Sequence, residues 1–129
     1  MMPALIEDLD PVMQPKIADL LLRCKAAGLK VVLAETKREY AKQADVFAKG
    51  FSRCDGLKHL SMHQARLAAD VVALDEAGNR SWDYVKFAET YKGIGNIARS
   101  LGLECGQDWP PFDKVTGLGW DAPHYEYKG

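Results

Sequence analysis

Four apolar residues, Val71 to Leu74, read as a buried strand, and a carboxylate, Asp70, stands at its entrance. A carboxylate is seldom buried without a partner, so Asp70 requires a cation, a set of donors or a metal to offset its lost hydration. Seven residues earlier stands an imidazole, His63, in the stretch that begins at Ser61. In one reading Asp70 caps a turn and His63 is a surface or satisfied core histidine; in the other both hold a metal. Taken alone the stretch favours the turn, because short motifs match by chance. The rest of the chain has to decide.

The 129 residues suit one domain, 1–129, large enough to bury a core without disulfide or metal staples. Seventeen basic against eighteen acidic residues give a formal charge of −1, so bulk electrostatics offer nothing to a nucleic-acid partner. Glu7, Asp8 and Asp10 fall where a secretory signal would be basic and then apolar, so synthesis in the cytoplasm without a signal peptide is expected. No apolar run approaches a bilayer-spanning length, which excludes membrane insertion by a helix. Cys24, Cys54 and Cys105 are odd in number and lack CxxC spacing, and they read as reduced, mostly buried thiols.

Asp10-Pro11 can start a helix whose face is Ile17, Leu20, Leu21 and Cys24, with Pro15 as the alternative marker of its first turn and Gly28 as its end. Leu29 to Glu35 is expected as a strand. Glu39 to Lys49 repeats the helical period with Tyr40, Ala44 and Phe47, and 51–60, holding His59, reads as a loop. Arg38, five residues ahead of Gln43, is either a solvated arginine or a guanidinium at a strand end that binds a substrate carboxylate. Ala77-Gly78-Asn79 marks a hairpin-type turn. Phe87, Tyr91, Ile94, Ala98 and Leu101 mark a second helix face closed by Gly102, in which Gly93 and Gly95 imply close packing. Leu103 to Cys105 is a short strand, and the irregular 106–119 that follows, with Trp109 and Phe112, has the character of a functional loop. In the tail from Trp120 to Tyr127, a final strand puts His124 and Glu126 on one face and Tyr125 and Tyr127 on the other. The pattern is that of a single α+β domain.

A catalytic zinc needs three protein ligands and one open position, and the ligands can come from distant parts of a chain. His63, Asp70 and His124 supply that number and type, and Asp121, three residues before His124, falls near the same metal as a proton acceptor. Ser61-x-His63, six residues, Asp70, then Asp121, two residues, His124 resembles the pattern of the zinc peptidases of peptidoglycan. These include the D-alanyl-D-alanine carboxypeptidases and dipeptidases and the phage L-alanyl-D-glutamate endopeptidases. Arg38 with Gln43, Ile94-Gly95, Leu101-Gly102-Leu103 and the Gly-x-Asp-Trp at 106–109 extend the resemblance over nearly the whole chain, closest to the endolysin-like endopeptidases.

The resemblance implies a hedgehog/DD-peptidase-like fold, an antiparallel sheet flanked by helices, and one catalytic Zn2+ on His63, Asp70 and His124. Asp121 would be the base, Arg38 would bind a substrate carboxylate or the oxyanion, and Gln43 and Trp109 would lie on the substrate side. Ser61 either contacts substrate or shapes the turn. The substrate implied is the peptidoglycan stem peptide of the bacterial cell wall. The chain is expected to act as a monomer, and no separate wall-binding domain is expected in it. A D-alanyl-D-alanine carboxypeptidase is the alternative, and a non-catalytic wall-binding relative the rival from another class. Glu126 reads as a solvated strand carboxylate, with an outer contact to a ligand as its other reading. Two positions depart from the pattern: Arg66 stands where the family usually has glycine, and Glu39 where Ser or Thr commonly follows the arginine.

Overall fold

The computed structural model describes residues 4–36 and 66–128. The first helix, α1 (Gln14–Ala26), starts with Pro15 in its first turn, where a missing N–H costs nothing. Asp10 instead caps the preceding turn, its carboxylate accepting the Val12 N–H at 3.0 Å. At the other end Gly28 takes φ +80°. Its N–H reaches the Lys25 carbonyl and that of Leu29 reaches the Cys24 carbonyl, a Schellman ending. Leu29 is thereby used in the cap, so the expected strand begins two residues later, as β1 (Val31–Glu35).

β2 (Ala68–Leu74) is longer than the apolar run alone implied. The turn after it closes through Asp75 N to Asn79 O, with Gly78 at φ +84°, and returns the chain as β3 (Arg80–Ser81). The second helix, α2 (Ala88–Ser100), buries Tyr91, Ile94, Gly95 and Ala98 and ends before Gly102, at φ +78°. β4 (Leu103–Cys105) and β5 (His124–Tyr127) complete an antiparallel sheet of order β1-β2-β5-β4, with β3 paired to β2. The final strand is shorter than expected, because residues 121–123 form a turn closed by His124 N on the Asp121 carbonyl.

The two faces of this sheet differ in chemistry. Leu33, Ala69, Val71, Ala73, Leu103, Cys105 and Tyr125 join Ile17, Leu20, Cys24, Tyr91, Ile94 and Ala98 in one core beneath the helices. The alternate residues Asp70, Glu104, His124 and Glu126 belong to the other face, since successive side chains of a strand point to opposite sides. Gly93 lets Leu29 lie against α2, and Gly95 leaves room for the buried amide of Gln107, whose Nε2 donates to the Tyr91 carbonyl at 2.9 Å. No helix among the described residues is long and apolar enough to cross a membrane.

Candidate metal centre

Asp70 and His124 are Cα partners across the central pair β2 and β5, and this register sets an imidazole directly beside a buried carboxylate. His124 Nδ1 lies 3.4 Å from Asp70 Oδ1, with both side chains about nine-tenths out of solvent. Opposite β2 at this point, β1 shifts register between Leu33 and Glu35, so that Glu35 faces Asp70 after Leu33 has faced Val71. Such bulges re-aim side chains next to functional sites.

The turn at 121–123 brings a second carboxylate to the same nitrogen. Asp121 Oδ2 lies 3.9 Å from His124 Nδ1, and its side chain is 31% exposed against 10% for Asp70. Gly106 permits this turn to sit where it does, because a Cβ there would collide with the Asp121 carbonyl. The other ring nitrogen, Nε2, is 2.7 Å from Glu126 Oε1. Glu126 is therefore not the solvated strand carboxylate its sequence context suggested: its side chain is 16% exposed and bonded to the ring. Trp109 packs on the same imidazole with ring centroids 5.2 Å apart, and its Nε1 donates to Glu104 Oε1 at 3.2 Å.

Burial lowers the His124 pKa, but hydrogen bonds to Asp70 and Glu126 and the charges of Asp70 and Asp121 outweigh it and push the value up to about 10. The site is thus a place where positive charge is wanted. A divalent cation satisfies the same carboxylates, and an imidazole whose far nitrogen is tied to a carboxylate is the usual form of a zinc-bound histidine. The chemistry of these donors fits zinc. Among the described residues no three His, Cys, Asp or Glu side chains complete a ligand set. His63 lies outside the described residues, as do Ser61, Arg38, Gln43, His59, Cys54 and the expected helix Glu39 to Lys49.

Of the residues picked from sequence, the structure brings together Asp70, Asp121, His124 and Trp109. Glu104 was missed. Its place between apolar Leu103 and Cys105 fixes its face by the two-residue period, but nothing local to β4 discloses that it stands opposite Glu126. Cys24 and Cys105 are buried, and burial pushes their thiols up to about 11 and about 12, which removes them as nucleophiles at neutral pH.

Residues 55–127 match the model of a peptidase family described as D-alanyl-D-alanine carboxypeptidase, a span that holds His63, Asp70, Asp121 and His124. The chain is 25% identical to the peptidoglycan L-alanyl-D-glutamate endopeptidase CwlK of Bacillus subtilis, over 92% of this chain and 73% of the relative. It is similar to the crystal structure of the L-Ala D-Glu endopeptidase ChiX of Serratia marcescens, with a TM-score of 0.65, 25% identity and coverage of 95% of this chain and 83% of that one. The D,D-pentapeptidase VanY of a VanB-type vancomycin resistance cassette, solved with Zn(II), gives a TM-score of 0.60 and 26% identity over 94% of this chain and 73% of that one.

Proposed function

The chain belongs to the D-alanyl-D-alanine carboxypeptidase family, a family of zinc metallopeptidases of peptidoglycan, and we propose that the amide it hydrolyses is the L-alanyl-D-glutamate bond of the stem peptide. The observation that carries the hydrolytic reading is the convergence of Asp70, Asp121 and Glu126 on the two nitrogens of one imidazole, His124. The choice of bond rests on the likeness to CwlK and ChiX, which spans most of both relatives.

In this reading His63, Asp70 and His124 hold a single zinc ion. When bound, zinc supplies Lewis acidity, polarising the scissile carbonyl and bringing the pKa of water down to about 7. Burial separates the two aspartates by task. Asp70 is enclosed and suits a ligand; Asp121 is about a third exposed, so water and substrate can reach its carboxylate. Asp121 accepts the proton of the attacking water and returns it to the leaving amine. Arg38 binds a substrate carboxylate or the developing oxyanion, where loss of one donor costs about 3 to 4 kcal/mol. Trp109, half-buried against His124, walls the substrate side, with Gln43 and Ser61 contributing contacts. The protein works as a monomer on the bacterial wall.

A second reading, D-alanyl-D-alanine carboxypeptidase, is favoured by the 26% identity to VanY. The chemistry is shared and only the pocket differs. Digestion of purified peptidoglycan with the zinc-loaded protein, followed by mass spectrometry of the products, separates the two. New N-terminal D-glutamate is expected; free D-alanine without it would overturn the endopeptidase assignment, and an undigested wall would leave only a binding role.

A further inference from the structure

Two carboxylates face each other across the β4 and β5 ladder: Glu104 and Glu126 are direct register partners. Like charges directly opposite on one sheet face are destabilising, and Glu126 is mostly out of solvent. Each has a donor of its own. Glu126 Oε1 meets His124 Nε2 at 2.7 Å, and Glu104 Oε1 takes the Trp109 indole N–H at 3.2 Å. The two donor rings in turn pack on each other, with centroids 5.2 Å apart and planes inclined by 46°. Imidazole, indole and the two carboxylates form a closed arrangement on the face that carries Asp70.

A neutral imidazole offers one lone pair, and the nitrogen that keeps the proton is chosen by its acceptor. At His124 the competition is unequal. Nδ1 faces the Asp70 carboxylate at 3.4 Å, with that of Asp121 adding negative charge at 3.9 Å, beyond hydrogen-bond distance, and together they would draw the ring proton to Nδ1 and block it as a ligand. An acceptor close to Nε2 reverses that preference, and among the described residues Glu126 stands at hydrogen-bond distance from it.

We infer that Glu126 and Glu104 are positioning residues for the metal centre: Glu126 holds the proton on Nε2, and Glu104, through Trp109, fixes the plane of the ring, so that Nδ1 of His124 is the ligating nitrogen. The inference rests on the reading of His124 as a zinc ligand. Neither glutamate touches substrate in it; both act through the imidazole.

The test uses the zinc-loaded full chain. Chelator competition is expected to show Glu126→Ala binding zinc about 10- to 100-fold more weakly, as removal of such outer partners does. Glu126→Gln, whose amide oxygen still accepts the Nε2 proton, keeps most of the affinity, a rescue that a purely charge-based role would not give. Glu104→Ala gives a smaller loss in the same direction, and Glu104→Gln restores it. In 15N-imidazole NMR of the unaltered loaded chain, His124 should show a metal-bound Nδ1 and a slowly exchanging Nε2–H, which keeps the inference testable if an alanine variant does not fold. Folded Glu126→Ala with parental affinity, or a metal-bound Nε2, overturns the inference while leaving the zinc reading intact. Stoichiometric zinc in His124→Ala overturns both, and parental affinity in Glu104→Ala removes Glu104 from the proposal.

Discussion

Arg66 holds φ +62° with a full side chain, a left-handed backbone that costs an L-residue about 1 to 2 kcal/mol. This is the position where the family the chain resembles usually has glycine, so the departure in sequence coincides with a left-handed backbone. Glycine would relieve that cost but would add roughly 0.5 to 1 kcal/mol of unfolded-chain entropy. Arg66→Gly should therefore stabilise by about 0.5 to 1 kcal/mol, a rise of a few degrees in thermal midpoint, and a fall would show that the arginine side chain has contacts worth more than the strain. At Asp121 the expectation is a separation of binding from chemistry: Asp121→Ala retains zinc by metal analysis and loses wall hydrolysis by about 100-fold or more, as loss of a general base does. Unchanged hydrolysis would remove the proposed base. His124 carries the pH dependence. In the metal-free protein its pKa is raised above the usual 6.5 to about 10, so its contribution to stability is complete below 6.5 and is lost as pH climbs toward 10. Zinc competes with that proton, and its apparent affinity should rise across the same window, with proton release visible as buffer-dependent heat in calorimetry. Asp70, Asp121 and His124 could be singled out because their types and spacing resemble a known pattern, and the structure brings the three side chains together. For Glu126 the face was legible and an outer contact to a ligand stood as the second of two readings, since a 2.7 Å bond to a ring two residues away depends on how the strand is buried.

At the scale of elements, the two helices were readable because a single apolar stripe, Ile17, Leu20 and Cys24 in α1 and Tyr91, Ile94 and Ala98 in α2, sets both their existence and their buried face. Their ends needed the caps: Leu29 looks like strand by composition and is taken by the Schellman ending. The turn at 121–123 was hidden for a related reason, since Pro123 reads as extended backbone and the turn depends on contact with residue 106. That contact yields a contrast between two glycines. A Cβ at Gly106 would meet the Asp121 main chain, which has no rotamer to give, whereas one at Gly95 would meet the side-chain amide of Gln107. Gly106→Ala should shift the turn that carries Asp121, with a loss of activity approaching 100-fold for a displacement of about 1 Å beside a stability cost of about 1 to 3 kcal/mol. Gly95→Ala should cost comparable stability, by expelling an amide that donates to Tyr91 and approaches the Tyr125 hydroxyl at 3.3 Å, but should leave zinc affinity unchanged. Parallel measurement of thermal midpoint and kcat/KM on both variants checks the difference, and an equal loss of activity in the two would refute it.

For the molecule as a whole, a single α+β domain could be read from the alternation of helical and two-residue periods and its antiparallel sheet from the family resemblance, but the strand order β1-β2-β5-β4 was read from neither. That order puts β5, from the end of the chain, between β2 and β4, and pairing over some fifty residues leaves no local trace. It matters because it makes the two proposed ligands, Asp70 and His124, partners in the central strand pair rather than residues on a mobile rim. Ions bound there tie the middle of the sheet to itself, and any ion that binds the folded chain but not the unfolded one adds RT ln(1 + [L]/Kd) to stability, about 2.7 kcal/mol at a hundredfold excess over Kd. For a chain of 129 residues that corresponds to a rise of about 10 degrees in thermal midpoint. Chelation should lower the midpoint of the unaltered protein by that amount and zinc should restore it, while in His124→Ala, where a ligand is missing, chelator and zinc should both leave the midpoint nearly where it was. A midpoint of the unaltered protein that ignores chelator would mean that the sheet does not use the ion for its stability, and a shift that persists in His124→Ala would place the stabilising ion somewhere other than at Asp70 and His124.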